Sequence, residues 1–129
     1  MTTRLLIIVA LSVGACGAPP TAPSVVEFRE GGTGPTLIID ICIIPVSCTV
    51  TRRIQNIGNT CATDVHATIT PVDSGGNVLA TYRWVHIPNT VVVRPLDSVE
   101  IRLVDVPYAI TQAAARWRIT PGWQQTACP

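Results

Sequence analysis

DVHATITPVDSGGNVL, residues 64–79, alternates and then turns back on itself. Val65, Ala67 and Ile69 fall on one side, and His66, Thr68 and Thr70 on the other. A period of two belongs to a half-buried strand, not to a helix. Asp73-Ser-Gly-Gly-Asn77 breaks the alternation, and its glycines supply the positive φ of a tight hairpin. A return strand over 78–87 then carries Tyr82 and Trp84.

The flanks repeat this grammar. Upstream, 36–44 puts Leu37, Ile39, Ile41 and Ile43 on one face and Asp40 and Cys42 on the other, until Pro45 stops the strand. In 48–56, Val50 and Ile54 point one way, while Thr49, Thr51, Arg53 and Gln55 point to water. Arg52 falls on the apolar face, so a bulge or an edge must let its guanidinium escape. A turn over 56–64 follows. Downstream come a short strand at 91–93, a Pro95-Leu96-Asp97 turn, and a strand over 99–106 in which Val99, Ile101 and Leu103 alternate with Glu100 and Arg102. The last strand, 115–120, turns Trp117 and Ile119 inward and Arg116 and Arg118 outward. Only 109–116 tolerates helix, as a connection holding about one turn. Six or seven short antiparallel strands with regular turns predict an all-β chain folded as a β-sandwich over residues 35–129.

The amino terminus follows other rules. Arg4 precedes an apolar run, Leu5 to Val13, too short for an ordinary transmembrane helix but the right length for a signal sequence. Val13-Gly14-Ala15-Cys16 resembles the lipobox of bacterial lipoproteins. The resemblance implies that residues 1–15 are removed, that Cys16 receives diacylglycerol on its thiol, and that its new amino group is acylated. Several acyl chains anchor stably where one is marginal. Gly17 after the cysteine, where aspartate is absent, leans by the same analogy towards an outer membrane or cell surface. Residues 16–34 begin GAPPTAPS and read as a lipidated tether.

Without residues 1–15 the chain keeps 114 of its 129 residues, eight arginines and eight carboxylates, and no lysine. A charge near zero with no basic stripe excludes nucleic acid as an expected partner. Four cysteines remain besides Cys16: Cys42, Cys48, Cys61 and Cys128. An even number in a small exported domain reads as two disulfides, with three pairings open. No C-x₂-C pair occurs, so zinc is not expected.

The order of residues over 36–121 resembles small bacterial Ig-like modules of the FxLYD and CARDB type. The likeness lies in IQNIGN (residues 54–59), in the opening stretch 64–79, and in VRPLDSVEIRL (residues 93–103). Leu96 stands where those modules usually place glycine, and Arg52 where a small residue is common. In an Ig-like order the first strand ends where the second begins, which brings Cys42 to Cys48. A final strand antiparallel to that of residues 64–72 carries Cys128 to Cys61. Pairing Cys48 with Cys61 would have to reach along a whole strand, about 20 Å.

Catalytic machinery is not expected. His66 and His86 read as exposed strand residues without carboxylate or thiol partners. No G-x-S-x-G elbow surrounds any serine, and Asp73-Ser-Gly-Gly-Asn77 lacks the later glutamate of a calcium loop. No cofactor or metal is expected. Trp84 and Trp117 read as core anchors. Trp123, beyond the last expected strand, reads as a candidate contact residue, or as a lid over the end of the sandwich. The expectation is a membrane-anchored, non-catalytic binding or scaffolding module of the cell envelope that meets an envelope protein or glycan. The alternative is a small exported hydrolase or metal-binding protein on the same anchor.

Overall fold

The computed structural model describes residues 23–32, 40–88 and 90–129. Among the described residues, two antiparallel sheets form a sandwich of seven strands. The first sheet holds β1 (Phe28–Glu30), β2 (Asp40–Ile43), β3 (Ser47–Asn56) and β6 (Ser98–Pro107). The second holds β4 (Cys61–Val72), β5 (Tyr82–Val85) and β7 (Arg116–Thr126), in the order β5-β4-β7. One short helix, α1 (Tyr108–Ala113), joins β6 to β7. The fold is therefore all-β, and among the described residues helix is confined to the alanine-rich connection.

Strand β3 organises the first sheet. β6 lies along one edge, from Ser47↔Pro107 to Gln55↔Ser98. β1 and β2 share the other edge, β1 against residues 54–56 and β2 against residues 47–50. The inward faces meet in one core of Val50, Ile54, Val65, Ala67, Ile69, Val99, Ile101, Leu103 and Val106. Each such aliphatic side chain contributes roughly 1.5–3 kcal/mol by leaving water.

Two bulges keep that alternation in phase. Val104 and Asp105 stand against Thr49 alone, and Asp64 and Val65 stand against Trp123 alone. Both aspartates take left-handed backbone, φ 57° at Asp105 and 52° at Asp64. Asp tolerates that region better than most residues because its short side chain bonds locally. The extra residue in β6 returns Val106 to the core after Leu103.

The structure corrects several expectations. The tether was expected to run through residue 34, yet Val26 and Phe28 are buried and β1 pairs with β3. Val26 and Phe28 alternate with Glu27 and Arg29, a strand pattern inside the stretch assigned to linker. The domain thus begins by Pro23. Over 36–44 the described part keeps the two faces the sequence separates, and the structure supplies their direction. Cys42 and Asp40 lie on the inward side of β2, and Ile41 and Ile43 are exposed. Residues 36–39 of that strand lie outside the described residues. The strand over 78–87 shrinks to β5, with Val78 in a single bridge to Val72, and 91–93 reduces to a bridge between Val93 and Ala62. Arg53, expected in water, is buried. Arg52 lies neither at an edge nor at a bulge but on central β3, opposite Ile101 of β6; its guanidinium donates to Asp40 on β2 at 2.7 Å and lies 5.5 Å from the Trp117 ring centre.

Candidate functional site

Val13-Gly14-Ala15-Cys16, the expected lipobox, lies outside the described residues. Disulfides join Cys42 to Cys48 and Cys61 to Cys128. The first links directly opposed residues of β2 and β3, and the second ties the carboxy-terminal tail to the start of β4.

Trp123 is not past the last strand. β7 continues through Pro121 and Gly122 to Thr126, so Trp123 is a strand residue. Its ring packs on Phe28, with centroids 5.3 Å apart, and borders the core. The expected contact residue is thus a packing residue, and its partner comes from the segment read as tether.

The histidines serve separate local roles. His66 donates from Nδ1 to the Asp64 carbonyl at 2.8 Å. Its ring lies across Gly122 of β7, where a Cβ would overlap it. His86 sits beside Trp84, and burial holds its pKa below the ordinary 6.5. Asp73 is occupied by its own hairpin: its carboxylate accepts from the Gly75 and Asn77 amides, at 2.9 and 2.8 Å, and from the Asn77 side chain. These bonds, the Asn77 amide first, hold its pKa below the ordinary carboxylate value. Among the described residues no group of three or more His, Cys, Asp or Glu could hold a metal. Among them, too, no helix is long and apolar enough to cross a membrane.

The conspicuous exposed feature is the hairpin from β2 to β3. Ile41, Ile43, Ile44 and Val46 are 63–71 % exposed. No charged residue stands between Ile41 and Ser47. The turn is closed by Val46 N–H donating to the Ile43 carbonyl at 2.6 Å, and the Ile44–Pro45 peptide is cis. Tyr108, at the start of α1, donates its amide to the Val46 carbonyl at 3.2 Å, and Cys42–Cys48 staples the base. The backbone of this tip is therefore held, while four large aliphatic side chains face water. Scattered exposed aliphatics are ordinary; a contiguous cluster marks an interaction surface. The alternation of Ile41 and Ile43 is visible in the sequence, but the direction in which they point is not.

The opposite end of β3 is polar and closed. Asn56, fully buried, donates from Nδ2 to the Thr60 and Val93 carbonyls at 3.0 and 3.2 Å and accepts the Gly58 amide at 2.9 Å. Gly58 lies so near the Val25 carbonyl and the Val26 backbone that a Cβ has no room there. Asn59 accepts the Val25 amide at 2.8 Å and donates to the Pro23 carbonyl at 3.0 Å. The IQNIGN stretch is thus the cleat on which residues 23–28 are fastened. The two ends lie about 33 Å apart along the ten residues of β3.

Compared with known proteins, the chain matches no family model, no curated protein and no solved structure.

Proposed function

We propose that the chain is an exported lipoprotein whose sandwich is a non-catalytic binding module, docking an envelope protein through the hairpin tip. The observation that carries this is the apolar tip of Ile41, Ile43, Ile44 and Val46 on a base stapled by Cys42–Cys48. An aliphatic, uncharged surface suits a groove on a protein; it offers a glycan neither hydrogen bonds nor aromatic faces. The lipobox sequence ending in Cys16 supports the anchor, and the two disulfides suit an oxidising compartment. From Cys16 to Pro23 the chain can span at most about 25 Å. It joins the sandwich at the Asn59 end, so the tip is carried at the end remote from the anchor.

The test has two readings. Intact mass of the membrane-extracted protein is expected to begin at Cys16 and to carry acyl groups. A photo-crosslinker at position 43, in intact cells, is expected to give one discrete protein adduct that disappears with Ile44→Asp. A product beginning at Met1 without acyl mass overturns the anchor. An adduct indifferent to Ile44→Asp, or none, overturns the tip.

A further inference from the structure

The two sheets carry charge differently. The strands of the first sheet hold four arginines, at 29, 52, 53 and 102, and four carboxylates, at 30, 40, 100 and 105. Asp40 pairs with Arg52, and Glu100 approaches Arg102. The strands of the second sheet hold three arginines, at 83, 116 and 118, against the single carboxylate of Asp64 at the bulge. Among the described residues Arg83, Arg116 and Arg118 have no ion-pair partner. A chain whose exported part is neutral overall therefore presents a cationic sheet.

That cation is mounted on a shaped surface. The register sets Arg83 opposite Thr68 on β4, Thr68 opposite Thr120 on β7, and Thr70 opposite Arg118. Inward Ala67, Ile69 and Trp84 alternate with these residues, so Thr68, Thr70, Arg83, Arg118 and Thr120 share the outer face. A concavity of about 360 Å³ opens between β4 and β5, lined by His66, Ala67, Thr68, Arg83, Trp84 and Val85. Gly122 makes room for one wall, because only there can the His66 ring lie across β7.

We propose that this outer face binds an acidic glycan. The guanidinium forks of Arg83 and Arg118 are rooted about 12 Å apart, two strands across and two residues along. Three threonine hydroxyls lie between them. Guanidinium matches a carboxylate bidentately, and a hydroxyl both donates to and accepts from sugar hydroxyls. Two separated forks with hydroxyls between them take successive charges of a polymer better than one small anion. This site shares no residue with the hairpin tip. It rests on the envelope reading only for where such a polymer would be met, so its failure in a purified assay leaves the crosslinking result untouched.

The full lipidated chain in neutral detergent is titrated with polygalacturonate, with dextran, and with phosphatidylglycerol vesicles. Polygalacturonate is expected to bind in low salt, to weaken steeply as salt rises, and to weaken at least tenfold in the Arg83→Gln, Arg118→Gln double variant. The Arg83→Lys, Arg118→Lys variant keeps the charges and recovers part of the loss. Arg29→Gln, on the other sheet, stays within twofold of wild type. Both target arginines are exposed, and an unchanged thermal midpoint confirms an intact fold. Polygalacturonate binding no better than dextran overturns the proposal, as does a double variant that binds like wild type. Equal binding to the vesicles, lost in the same variant, transfers the face to a lipid headgroup and overturns the glycan.

Discussion

At the end of the sandwich where Cys61 meets Cys128, polar groups are consumed by the fold. Asn56 satisfies three backbone groups with one side chain, Asn59 fastens Val25 and Pro23, and Gln125 donates to the Ser24 carbonyl. At the other end, the β2–β3 hairpin turns Ile43 and Ile44 into water. Both ends are stapled by cystine, but the staples do different things. Cys61–Cys128 closes a span of 67 residues and holds β7 and its tail. Cys42–Cys48 closes a span of six and holds a turn whose side chains face outward. The difference teaches that one end spends its polar groups on holding the fold, while the other holds its backbone and leaves aliphatic side chains in water.

The largest break in that comparison comes from the staples. In the chain-entropy account, removing Cys61–Cys128 by a double alanine substitution costs about 4 kcal/mol, and removing Cys42–Cys48 about 2 kcal/mol. Denaturant unfolding of the two variants checks the order. Equal losses, or a larger loss at the hairpin, would sink the assignment of stability to the clasped end. Only the Cys42–Cys48 variant is expected to diminish the adduct formed from position 43, because it loosens the base that presents the tip.

Asn56→Ala comes next. It leaves the Thr60 and Val93 carbonyls and the Gly58 amide without their partner in a buried site. An unsatisfied buried group costs roughly 1–3 kcal/mol, so a net loss of about 3 kcal/mol is expected. Because Gly58 and Asn59 hold residues 23–28, amide exchange at Val26 and Phe28 should rise with it. An intact, slowly exchanging β1 in this variant would show that the amino-terminal segment is fastened by something else.

Much of this architecture was legible in the sequence, and the failures have physical causes. Residues 64–72 sit on the central strand β4, where one face is buried and alternation is enforced, so the reading of that part matched the fold, while the return strand expected from 78 shortened to β5. The 36–44 reading separates two faces but carries no direction, since alternation alone does not say which is inside. A clue was present. Cys48 shares a face with inward Val50, so a bridge to Cys42 obliges Cys42 to point inward and Ile41 and Ile43 outward. Trp123 was misplaced because Pro121-Gly122 reads as a strand breaker. Here Gly122 instead makes room for His66, and Trp123 faces the bulge that carries Asp64. The cationic outer face of the second sheet escaped notice because net charge sums over both sheets. Arg116 and Arg118 read as outward and Arg83 carried no face, but which of them lacks a carboxylate neighbour depends on the pairing of strands distant in sequence.

The smallest effect sharpens the reading of the clasped end. Leu96 takes left-handed backbone, with φ 71°, where glycine is the ordinary residue. The turn gives a reason. Asp97 N–H donates to the Arg94 carbonyl at 3.0 Å, so Leu96 occupies the third position of a turn that requires positive φ. It cannot relax, because its amide donates to the Asn56 carbonyl at 2.7 Å while the Asn56 amide donates to Asp97. The Leu96 side chain is 72 % exposed, so little burial offsets the strain. Left-handed backbone costs an L-residue about 1–2 kcal/mol, and glycine returns part of that gain as unfolded-state entropy. Leu96→Gly is therefore expected to stabilise by about 0.5–1 kcal/mol, raising the denaturation midpoint without changing its slope. A destabilised variant would mean that the leucine side chain has a contact worth more than the strain. The leucine would then belong to an interaction surface at the end now assigned wholly to stability.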